Sequence, residues 1–162
     1  MKKNFSQIIL TILLISIYSC AGYELIYTSS KVDIKITDYS IKGEKRLGRK
    51  IYSKLLNLSN STAHTEKTKN VRILIGVEKN KKVTTKSTSG KILGYRLNLN
   101  TYILLKDLSS GNEILNENIS LSTTYSVQDQ FADTKKIEKQ TIDNLLNSTY
   151  EEIVNRLSKN IL

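Results

Sequence analysis

Val71-Arg72-Ile73-Leu74-Ile75-Gly76-Val77 decides the fold class. Branched apolar residues stand at every second position, the period of a strand that buries one face and wets the other. The same alternation occurs at Val32, Ile34 and Ile36, at Tyr95, Leu97, Leu99 and Thr101 (running on to Leu105), and at Ile119, Leu121, Thr123 and Tyr125. Strands that alternate, rather than being apolar throughout, belong to a sheet packed on one side only. Two stretches keep a helical period instead. Leu47, Ile51, Leu55 and Leu58 form one stripe, and Ile137, Ile142, Leu145, Leu146, Ile153, Leu157 and Ile161 form a longer one, with Asp133 expected at its N-cap. Residues 57–68 and 79–90 are polar and read as loops, the second turning at Ser87-Thr88-Ser89-Gly90, while Ser109-Ser110-Gly111-Asn112 reads as a hairpin turn. The expected fold is therefore α+β: a two-layer sandwich in the order β-α-β-β-β-α, with a four-stranded sheet and two helices on one face.

The N-terminus reads as an address. Lys2 and Lys3 precede an apolar run from Ile8 to Tyr18, too short to cross a bilayer and of the right length for a secretory signal peptide. The run ends at Ile17-Tyr18-Ser19-Cys20, an aliphatic residue three before the cysteine and a small one directly before it. That arrangement resembles the bacterial lipobox, in which the cysteine thiol is acylated. The reading divides the chain into a leader (1–19) and one domain (20–162), whose first residues (20–30) serve as a lipid tether. Acyl chains contribute about 0.8 kcal/mol for each buried CH₂, so two or three hold the protein to a leaflet permanently. Ala21 rather than Asp follows Cys20, which favours the outer membrane.

Composition excludes several classes of function. One Cys and one His among 162 residues leave no intramolecular disulfide framework and no His/Cys zinc cage. His64 lies in a polar loop without a nucleophile beside it, and no GxSxG, HExxH or phosphate-binding glycine motif occurs, so an enzyme is not expected and no cofactor or metal is implied. A lipoprotein hydrolase would require a nucleophile and base around His64.

Charge is unevenly spread. Losing the leader leaves 23 Lys and Arg against 15 Asp and Glu, or +8. Residues 67–96 hold nine basic side chains and only Glu78, whereas residues 107–134 hold five acids and no base. Lys79, Lys81, Lys82, Lys86, Lys91 and Arg96 gather on two strand ends and their turn, which points to an anionic ligand; each lysine alone would equally serve to discourage edge pairing. An exported chain does not meet nucleic acid, leaving lipid headgroups, phosphorylated glycolipid or acidic protein surfaces.

Cys20-Ala21-Gly22-Tyr23-Glu24-Leu25-Ile26-Tyr27 is similar to the Cys-Gly-aromatic-x-Pro-Leu-Tyr opening of alphaproteobacterial members of the LPS-assembly lipoprotein family LptE (rare lipoprotein B), departing by Ala21 and by Leu25 in place of Pro. Thr124-Tyr125-Ser126-Val127 through Phe131-Ala132, before a long amphipathic helix, resembles the end of the same family's fold. The resemblance implies a lipid-anchored protein on the periplasmic face of the outer membrane that plugs the LptD β-barrel, helps it assemble and assists lipopolysaccharide delivery, with the six basic residues facing lipid A phosphates or the barrel. A barrel assembly factor of another kind, or a secretin pilot, shares the anchor and the fold.

Overall fold

The computed structural model describes residues 33–61 and 68–161. The leader, Cys20, residues 21–30, His64 and Leu162 lie outside the described residues. The elements follow in the order β1 (Ile34–Gly43), α1 (Lys45–Ser61), β2 (Lys69–Lys86), β3 (Ile92–Asp107), β4 (Glu113–Ser126) and α2 (Phe131–Ile161). The sheet order is β1-β2-β3-β4, with β1 parallel to β2 and the other pairs antiparallel. A parallel neighbour needs a crossover, and α1 supplies it.

Register explains the layers. Ile73, Leu105 and Leu115 lie side by side across three strands, as do Val77, Thr101 and Ile119. These residues are all buried, so the odd-numbered positions of β2, β3 and β4 share one face. Leu47, Ile51 and Leu55 of α1 and Leu145, Leu146, Ile153 and Leu157 of α2 close over that face and complete one core. The two-layer α+β architecture and the element order are those the periodicity predicts. In β1 the register slips between Ile36 and Asp38. Beyond that bulge the odd positions turn toward the helices, and Tyr39 stacks on Tyr52 of α1 with ring centroids 4.2 Å apart.

Three expectations change. The second strand does not stop at Val77; it continues to Lys86, so residues 79–86 are strand rather than loop. The first helix runs on to Ser61, past the expected boundary at Asn57. It does so because Ser59 is buried: its hydroxyl donates to the Ile34 carbonyl (2.9 Å) and accepts from the Ile36 N–H (3.3 Å), tying the last turn to β1. Asp133 is not the N-cap, since α2 begins at Phe131 and places it inside the first turn. The entry is held instead by Thr134, whose Oγ1 accepts from the Gln128 N–H at 2.8 Å. Asp133 still lies where a carboxylate favours the helix dipole.

β1 ends sharply at Gly43. Its φ of +73° is in the left-handed region, and the Glu44 N–H immediately donates to the Val77 carbonyl at 2.8 Å. β2 and β3 therefore outrun β1, and their far halves form a hairpin that projects past it.

Candidate functional site: the cationic end of the β2–β3 hairpin

The hairpin holds its ladder from Val71 opposite Asp107 to Lys86 opposite Ile92. Ser87–Gly90 closes it: the Ser87 N–H donates to the Lys91 carbonyl (2.8 Å), the Lys91 N–H donates to Ser87 Oγ (3.1 Å), and Gly90 takes a φ of +82°. Because the β-pleat alternates, the six basic residues expected to act together are divided between faces.

Lys82 and Arg96 lie directly opposite each other on the face away from the helices, both exposed. Like charges at facing positions destabilise a sheet, and no ion pair among the described residues relieves them. Lys86 and Lys91 flank the turn and are exposed. Lys79 is half-buried on the helix-covered face, where it borders a cleft with Arg46, Lys50, Lys135, Glu138 and Asp143.

Lys81 is placed differently. It points to the helix side, where its Nζ lies 2.8 Å from Glu138 Oε2 of α2 and 3.9 Å from the centre of the Tyr95 ring. Tyr95 and Tyr125 are cross-strand neighbours, with ring centroids 5.7 Å apart, and form the floor beneath the ammonium. A cation over an aromatic face gains from the ring quadrupole. Burial is the largest influence and opposes the charge on Lys81, but Glu138 and the Tyr125 phenol together outweigh it and raise the lysine above its ordinary value. Burial likewise works most strongly against Glu138 ionisation, and hydrogen bonds from Lys81 and Tyr125 with the charges of Lys81 and Lys135 together overcome it, holding the carboxyl below its ordinary value. Burial pushes the Tyr125 phenol up. Lys81 thus fastens the hairpin to α2, and Lys79, Lys82, Lys86, Lys91 and Arg96 make up the available cationic surface.

Sequence reasoning missed Glu138 and Lys135, which come from α2, and the apolar residues on the same end of the molecule: Val83, Leu93 and Phe131. Leu93 and Phe131 carried a faint signal, being large apolar residues outside every buried stripe. Among the described residues no group of three His, Cys, Asp or Glu could hold a metal ion, and no helix is long and apolar enough to cross a membrane.

No family model matches the chain, and a search of curated proteins also finds no match. Solved structures do match. Lipoprotein B from Nitrosomonas europaea, described as uncharacterized, superimposes with a TM-score of 0.57 at 16% identity, over 78% of this chain and 86% of its own. A Caulobacter crescentus CB15 chain assigned as a lipoprotein gives 0.55 at 14% identity, over 81% and 91%. A minor lipoprotein from Acinetobacter baumannii gives 0.53 at 13%, over 79% and 93%. With β1 crossing through α1 to a parallel β2, a β2-β3-β4 meander and a long closing helix, the chain has the fold of these bacterial lipoproteins.

Proposed function

We propose that the protein is an outer-membrane lipoprotein of the LptE kind: a catalytically inert plug, acylated at Cys20, that helps an LptD-like barrel assemble and assists lipopolysaccharide delivery. The observation that carries the reading is the pairing of a lipobox-like Ile17-Tyr18-Ser19-Cys20 with a domain folded like lipoprotein B. The open cationic hairpin supports it. Lipid A carries phosphates, and lysine heads on mobile stems suit them as point charges.

Affinity purification of the full chain from outer membranes tests the proposal. An LptD-like barrel protein should accompany it; a secretin, or an unrelated barrel, would give the protein a different place among outer-membrane lipoproteins. A second measurement addresses the hairpin. Lys82→Ser, Lys86→Ser, Lys91→Ser and Arg96→Ser together should lower lipopolysaccharide affinity about tenfold at low salt, four exposed charge contacts of about 0.3–0.5 kcal/mol each, with the difference shrinking as salt screens them. Lys81 is left in place because its head is already engaged. Equal affinity of the two proteins at low salt would take lipopolysaccharide away from this surface.

A further inference from the structure

The far end of the hairpin is apolar as well as cationic. Val83 is 42% exposed, Leu93 41% and Phe131 75%. Val83 stands opposite Tyr95 on the helix side of the sheet, and Leu93 lies two residues nearer the turn, where the β2–β3 register shifts. The Val127 N–H donates to the Leu93 carbonyl (2.9 Å), bringing the segment that leads to Phe131 alongside. Lys135 lies 5.5 Å from the centre of the Phe131 ring, while Lys82, Lys86 and Lys91 stand on the other face and at the turn.

We infer that this end, with Val83, Leu93 and Phe131 turned outward among Lys82, Lys91 and Lys135, docks on an anionic phospholipid bilayer. An acidic protein surface would be matched by the lysines and would leave the apolar residues without a role. An apolar protein surface would leave unpaired ammonium groups against it. A leaflet of acidic headgroups over acyl chains receives both: the lysines remain at headgroup level, and the apolar side chains enter the boundary beneath. The inference rests on the acyl tether of the proposed function. Thirteen chain steps lead from Cys20 to Asp33, enough to span at most about 45 Å, so the domain stays close to the leaflet and a weak contact is filled by local concentration.

The chain contains no Trp, so Phe131→Trp creates a single probe at an exposed position. The full-length acylated protein carrying it is reconstituted in vesicles of phosphatidylethanolamine and phosphatidylglycerol, without lipopolysaccharide. Circular dichroism and a melting curve matching the parent show that the fold is intact. The expected result is a blue-shifted emission with about twofold quenching by lipids brominated on the acyl chain. Both effects should be absent in phosphatidylcholine vesicles and in the protein that also carries Lys82→Ser, Lys86→Ser, Lys91→Ser and Arg96→Ser. Emission that is the same in anionic and neutral vesicles overturns the inference. So does quenching that appears only when a barrel protein is reconstituted alongside, which would assign this end to a protein partner. Either failure leaves barrel copurification untouched, so the proposed function is tested separately.

Discussion

Gly43→Ala is expected to lower the unfolding free energy by about 3 kcal/mol, or about 10 °C in melting temperature for a domain of this size. Two effects add. The residue sits at φ +73°, where an L side chain costs about 1–2 kcal/mol. A Cβ built there would stand 2.2 Å from the Val77 carbonyl oxygen, the acceptor of the Glu44 N–H. Backbone cannot rotate aside like a flexible side chain, so β1 must separate from β2 at the point where the chain turns into α1. Gly90→Ala is the control. It shares the positive φ (+82°) but has nothing within 4 Å of the new methyl, and should cost only the conformational part. Chemical denaturation of both variants measures the difference. Equal losses would mean that the close approach to Val77 contributes nothing.

Glu138→Ala is expected to cost about 2–3 kcal/mol, toward the lower end of what removing one partner of a buried pair does, because the Lys81 side chain retains 30% exposure while that of Glu138 retains 13%. The lysine would remain above Tyr95 and Tyr125 without its carboxylate. Lys81→Met combined with Glu138→Leu should recover most of the loss, since neither charge is then left unpaired. A pH series adds a second signature. Glu138 is held below 4.5, so its contribution is complete above that value and is lost as pH falls through the lower folded-state value. Lys81 is held above 10.5, so its contribution is complete below 10.5 and is lost as pH rises through the higher folded-state value. The pair accordingly stabilises across the neutral range, and Glu138→Gln should flatten the acid arm of the stability curve. An acid arm identical to that of the parent would show that the pair does not hold the hairpin to α2.

Alternation and helical stripes carry the architecture wherever one face is dry. They identify Val71 to Val77, Leu97 to Leu105 and the α2 stripe, because burial there imposes a period. The same logic fails where burial stops. From Glu78 onward β2 has left the cover of β1, both its faces carry polar residues, and nothing in hydropathy separates strand from loop; Val83, Thr84 and Thr85, residues that favour strands, were the weak signal. Ser59 misleads in the opposite way, since a buried serine is indistinguishable from a solvated one within a polar string. The cationic cluster was legible as a concentration of charge but not as two faces, because that division depends on strand register. The partnership of Lys81 with Glu138 links positions 57 residues apart and is set by where α2 crosses the hairpin.

The mixed sheet also orders events in folding. β2, β3 and β4 are joined by short turns, so their antiparallel ladders zip from local contacts, whereas β1 reaches β2 only after the 25 residues from Glu44 to Thr68 have closed as a crossover. A nucleus built on the meander forms with low entropic cost, and the parallel edge anneals afterwards. The parallel edge strand β1 is thus the last to be incorporated and the first to be released, which concentrates kinetic lability at that edge of the sheet.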